Sequence, residues 1–139
     1  MSIELALSII KPDATAKGVA GHIIQAYLDN GFSIRGMKLT QLSTAQAKAF
    51  YEVHKERPFY NDLVAFMTEG PVVVSVLEKE NAVLAHRELI GATNPEQAAE
   101  GTIRQRFGTN IERNAVHGSD SAANGIIETD FFFSKTERV

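Results

Sequence analysis

The 139-residue sequence has no cysteine and no tryptophan. Without cysteine there is no disulfide, no zinc–thiolate centre and no thiol nucleophile, so catalysis must use other side chains. No apolar run approaches the roughly 20 residues that cross a bilayer as a helix, and no membrane association is expected. Internal repeats, low-complexity tracts and linkers are also missing, so one domain over residues 1–139 is expected. There is no cationic excess: 14 Lys and Arg stand against 17 Asp and Glu, a net charge of −3. That balance argues against a general nucleic-acid binder but leaves room for a local cationic pocket. Gly18-Val-Ala-Gly21 lacks the lysine and serine of a phosphate loop, and no glycine triplet marks a dinucleotide fold. The opening MSIELALSIIKP lacks the basic start and small-residue cleavage site of a leader, reads as a strand, and points to the cytoplasm.

The hydrophobic fraction, 44%, is ample for a globular core, and its patterning alternates between periods. Leu5, Leu7 and Ile9 alternate as in a strand buried mainly on one face, ending where Lys11-Pro12 delivers a cation to the sheet edge. Val19, Ile23, Tyr27 and Leu28 recur at helical spacing within Ala14 to Asn30, with Gly31 as a left-handed cap. Ser33 to Leu42 reads as a second strand. Ser43 with Gln46 forms a capping box before a helix carrying Ala47, Phe50 and Tyr51 on one stripe. Beyond Pro58, Phe59, Leu63, Phe66 and Met67 share a face until Gly70-Pro71. PVVVSVLE is a deeply buried strand, and Asn81 is placed to cap a helix through Leu89, with Gly91 as terminator. A long loop is expected from Ala92 to about Arg113. A short strand at Ala115 and Val116 then presents His117, Ser119 or Asp120 caps a last helix toward Glu128, and Phe131 to Phe133 cover the core. This order predicts an α+β fold of the ferredoxin-like βαββαβ type, an antiparallel four-stranded sheet covered by helices.

Three cations fall near element ends: Lys11 after a strand, Arg87 on a helix and Arg104 in the long loop. Each alone reads as a solvated surface charge, yet an arginine fork and a lysine point charge brought together could clamp a polyphosphate. His117 lies in NAVHGSDS, among small and polar residues. It has neither the bulky neighbours of a core histidine nor a metal-ligand partner at helical or hairpin spacing.

Taken in order, SIIKPDA, HKERPFY, RELIGATNP, GTIR and NAVHGSDS resemble nucleoside diphosphate kinase, over essentially the whole chain. The resemblance implies a ping-pong kinase that moves the γ-phosphoryl group from a nucleoside triphosphate to a nucleoside diphosphate through a phosphohistidine at His117. It implies that Nδ1 attacks while Glu128 holds Nε2–H, with Ser119 supporting that pair. Lys11, Arg87, Thr93 and Arg104 would contact phosphates, with Tyr51 offering its hydroxyl near Lys11. Asn114 and Lys11 would hold ribose hydroxyls. Phe59 would stack on the base and Ile111 cover its other face, a mode tolerant of base and sugar. Mg²⁺ would bind through the nucleotide's phosphates, with no ligand from the protein. Glu100 before Gly101 stands where hexameric members often carry proline, and the tail after Phe133 is short, so a homo-oligomer, tetramer or dimer, is expected.

Two other readings compete. RNA-recognition domains share the strand and helix order, but they need aromatics on central strands where PVVVSVLE is aliphatic. No nucleic acid is therefore required. A catalytically inactive scaffold of the same family is opposed by the intact set of His117, Lys11, Arg104 and Glu128.

Overall fold

A computed structural model describes residues 2–139; Met1, which begins the opening apolar run, lies outside the described residues. The elements run β1 (Ile3–Ile10), α1 (Pro12–Ala16), α2 (Ala20–Asp29), β2 (Ser33–Thr40), α3 (Thr44–Phe50), α4 (Tyr60–Met67), β3 (Val72–Glu80), α5 (Ala82–Ile90), α6 (Ile103–Phe107), β4 (Val116–Gly118) and α7 (Ala122–Phe132). The four strands form one antiparallel sheet in the order β2-β3-β1-β4, the ferredoxin-like arrangement.

The central strands are buried on both faces. Ala6 and Ile10 of β1 join Val73 and Leu77 of β3 in a core with Ile23, Tyr27 and Ile90. Leu7 and Ile9 join Val72, Val74 and Val76 in a second core with Tyr51, Phe66, Met67 and Phe133. Strand side chains alternate in direction, so the two sets mark the two faces of one sheet. The expectation of one-sided burial for β1 is thus corrected: a central strand with helices on both faces has no solvent face.

Several local expectations shift. The helix expected over Ala14 to Asn30 is two helices, because Gly18, with φ +73°, turns the chain between them. The Ser43–Gln46 capping box forms in both directions. Asn81 stands at the α5 N-cap position but its side chain caps nothing; its left-handed φ of 53° turns the chain out of β3. The stretch from Ala92 to Arg113 is not all loop: it holds a 3₁₀ turn at Pro95–Gln97 and α6, so Arg104 is a helical residue. The last helix is capped by Ser121, which accepts from the Asn124 N–H, rather than by Ser119 or Asp120. Of the three terminal phenylalanines only Phe133 is fully in the core, and Phe131 is exposed. Gly125 lets α7 lie directly on β1: a Cβ there would collide with the Leu5 carbonyl. Glu128, one turn further along α7, is thereby brought to β4.

Candidate active site

His117 is the middle residue of β4 and pairs with Ile9 of β1, so alternation turns its ring toward the face that carries Tyr51 and Phe50. Phe50 meets the imidazole edge-on, with ring centroids 5.4 Å apart. Glu128 accepts from His117 Nε2 at 3.0 Å and from the Ser119 hydroxyl at 2.7 Å. Ser119 is itself fixed, its Oγ accepting the Leu7 N–H at 2.9 Å. A carboxylate only accepts, so a proton sits on Nε2, and in the neutral ring Nδ1 keeps its lone pair.

His117 lines a cavity of about 1080 Å³. Lys11, Tyr51, Phe59, Arg87, Thr93, Arg104, Ile111 and Asn114 line the same cavity, whereas Ser119 and Glu128 stand behind the histidine. Residues of α5, α6 and β4 thus converge with others from the turns and loops between elements. The polar end is tightly built. Lys11 Nζ donates to Asn114 Oδ1 at 2.8 Å, and Asn114 Nδ2 donates to the carbonyls of Thr93 and Ile111. Arg104 donates to the carbonyls of Gly91 and Val116 at 3.0 and 2.7 Å, while its Nε is buried without a partner. At the other end Phe59 and Ile111 expose apolar surface, 43% and 59% accessible.

Electrostatics follow from crowding cations into a partly dry site. Burial, and then repulsion from Arg104, push Lys11 down to about 8, with Asp13 partly opposing. Burial and neighbouring Arg87 bring Arg104 down to about 10. Burial and the Glu128 charge raise the Tyr51 phenol well above its ordinary value, so it keeps its proton.

Some features of the site carried no separate reading in the sequence. His54 lines the cavity beside Phe59, their centroids 5.5 Å apart. His86 is fully buried under β4, its Nε2 3.1 Å from the Tyr27 hydroxyl, and burial holds it neutral, near 3. Gly118 is required above it, since a Cβ would come within 2.7 Å of His86 Nδ1. The helical pattern of Ala82–Ile90 marks an inward face but not a histidine on it.

Residues 4–138 match the family model described as nucleoside diphosphate kinase. A nucleoside diphosphate kinase of Campylobacter lari is 61% identical, covering 97% of this chain and 98% of that one. That of Myxococcus xanthus is 58% identical over 99% of this chain and 94% of its own. Among solved structures, the Aquifex aeolicus nucleoside diphosphate kinase superposes with a TM-score of 0.98 at 44% identity, covering 99% of this chain and 100% of that one. The halophilic enzyme from Halobacterium salinarum, in complex with CDP, gives 0.95 at 34% identity, covering 99% and 92%.

Proposed function

Because the chain belongs to the nucleoside diphosphate kinase family of phosphotransferases, we propose that it transfers the γ-phosphoryl group by a ping-pong route through His117, accepting any common base and sugar. The observation that carries this reading is a cavity-lining imidazole whose Nε2 is held by Glu128 and whose Nδ1 is free to attack. Nδ1 attacks the γ-phosphorus of the triphosphate, the bond to the β,γ-bridging oxygen breaks, and the diphosphate leaves. The second half runs the same step in reverse onto a different diphosphate. Dividing one exchange between two polyanions into two substitutions lets a single pocket serve both. Glu128 stabilises the positive charge that grows on the ring, and Ser119 orients the carboxylate.

Lys11, Arg87 and Arg104 are the cations that would meet the phosphates, with Thr93 and Tyr51 as hydroxyl donors. The loose transition state spreads charge over equatorial oxygens, so fixed donors contribute most of the rate. Arg104 suits that role because its bonds to Gly91 and Val116 leave it pre-aimed. Asn114 and Lys11 would meet ribose hydroxyls, and the base would lie between Phe59 and Ile111. The CDP bound to the Halobacterium salinarum enzyme supports a nucleoside diphosphate as the occupant here. No group of three or more acidic, histidine or cysteine side chains placed for a metal occurs among the described residues. Lys11, Arg87 and Arg104 on the lining fit phosphates that arrive with their own Mg²⁺, which when bound would neutralise charge on the transferring group.

We place the chain, acting as one domain, in the cytoplasm with the nucleotide pools it uses; no described helix is long and apolar enough to cross a membrane. A homo-oligomer, tetramer or dimer, is favoured by the apolar side chains of Met37 and Leu39, exposed on the edge strand β2. Initial-rate kinetics with both nucleotides varied test the reading. Parallel double-reciprocal lines are expected, and intersecting lines would mean direct transfer within a ternary complex.

A further inference from the structure

Asp13 occupies the first turn of α1, two residues beyond Lys11, and is only 6% exposed. Its Oδ2 accepts the Ala115 N–H at 3.0 Å, while its Oδ1 is buried with no hydrogen-bond partner. A half-satisfied buried carboxylate is a poor choice for packing alone. What it grips is unusual. Ala115 is fully buried and has φ +75°, in the left-handed region that a residue with a β-carbon rarely enters. Its neighbours close around it, the Val116 N–H donating to the Asn114 carbonyl at 2.9 Å in a three-residue turn of the rarer, strained sense. The Ala115 carbonyl accepts the Lys11 N–H at 2.8 Å. The Lys11 backbone and the Asp13 side chain therefore hold the two polar groups of one strained residue. Such a conformation persists only where its surroundings over-determine it.

The turn has cavity residues on both sides. Before it stands Asn114, bonded to Lys11; after it comes Val116, whose carbonyl receives Arg104, and then His117. We propose that Asp13 is a positioning residue: its carboxylate locks the left-handed turn at Ala115, and that turn aims Asn114 and His117 at the phosphate end of the cavity. Resting on the reading of His117 as acceptor, this adds a residue that touches no substrate. The same carboxylate acts on Lys11 through space, opposing the effects of burial and of Arg104. The other titratable groups lining the cavity with Lys11 and Arg104 are Tyr51, His54, Asp62, Arg87 and Glu88 of α5, Glu112 and His117.

Four proteins test it: Asp13→Ala, Ala115→Gly, the two combined, and Asp13→Asn. Glycine adopts a positive φ freely, so it needs no external lock. Asp13→Ala is expected to lower kcat/KM by about a hundredfold, the scale of an ångström's misplacement. Ala115→Gly alone should stay within about threefold of wild type, and the combination should recover at least about tenfold over Asp13→Ala. Wild-type rates in Asp13→Ala, or a combination no faster than Asp13→Ala, would overturn the proposal. Asp13→Asn keeps an oxygen for the Ala115 N–H and covers the case where Asp13→Ala does not fold. Its kcat/KM near pH 6.5 should stay within about fivefold of wild type. The Lys11 Cε resonance of the nucleotide-free protein should titrate at lower pH in Asp13→Asn than in wild type, which a purely packing role would not produce. An unmoved titration together with a hundredfold loss of rate would overturn it. Failure of the wild-type protein to phosphorylate His117 would strike the acceptor reading, whereas the Lys11 titration bears on Asp13 alone.

Discussion

Replacing Lys11 by methionine keeps a chain of similar length and removes a charge that the fold holds at a loss. The lysine falls from 10.5 to about 8, burial being the largest cause and Arg104 the next. At about 1.4 kcal/mol per unit, holding the ammonium in the folded site opposes folding by about 3 kcal/mol at neutral pH. Against this, methionine leaves Asn114 Oδ1 without the donor now 2.8 Å away. A buried acceptor left unmet costs about 1–2 kcal/mol. The net expectation at pH 7 is a protein more stable by about 1–2 kcal/mol, with a melting temperature up by about 5 °C, and almost inactive. The sign with pH follows from the direction of the shift. A lysine depressed on folding opposes folding fully below about pH 8, progressively less above it, and not at all beyond 10.5. Wild type should therefore gain on Lys11→Met as pH rises through that window, and the order of the two melts should invert by about pH 10.5. Paired thermal and urea melts at neutral and alkaline pH without nucleotide measure it. A variant less stable than wild type at pH 7, with a gap that does not change on alkalinisation, would refute the account of Lys11 as a desolvated cation.

Arg104→Lys keeps a cation but cannot span the Gly91 and Val116 carbonyls. kcat/KM should fall by about a hundredfold with the fold intact, and a wild-type rate would remove the planar Arg104 fork from the account of phosphate stabilisation. Adenine, guanine, cytosine and uracil diphosphates should differ by no more than about 1–2 kcal/mol in transition-state binding, since stacking does not read hydrogen bonds. A thousandfold preference for one base would contradict that. Phe59→Ala should raise KM for all four by about tenfold with kcat little changed; a selective loss for one base would point to a contact other than stacking.

The motif residues were legible in the sequence because each carries its chemistry in its type and in its local spacing: His117 among small neighbours, Lys11 after a strand, Ser43 three residues before Gln46. Their convergence was not legible from spacing. Ser119 is fixed by the backbone of Leu7, and Lys11 reaches Asn114 on the far side of the chain. Only the resemblance to a family linked such segments before the fold did. The errors share a cause. Asn81, Ser119 and Asp120 all have side chains able to cap a helix, and backbone direction decided which residue did: Asn81 serves as a left-handed corner, while Ser121 caps α7. The five residues of α6 are too few to show a helical period, so by pattern alone Arg104 reads as a loop residue. Asp13 lay in plain view within SIIKPDA, yet its partner is a backbone N–H at Ala115, and side-chain patterns say nothing of backbone partners.

The central claim is that His117 carries the phosphoryl group between two nucleotides. Incubating the protein with Mg²⁺ and γ-labelled ATP, without an acceptor, should stop the reaction halfway and leave the label on the protein. Protonation makes imidazole a good leaving group, so the label should be lost in acid and kept in alkali, and any nucleoside diphosphate should discharge it. His117→Gln should fold, bind nucleotide and take up no acid-labile label. His54 is the other histidine on the cavity wall, and His86 is buried. An unlabelled wild type, or a His117→Gln protein labelled as fully as wild type, would contradict the assignment of His117 as the acceptor.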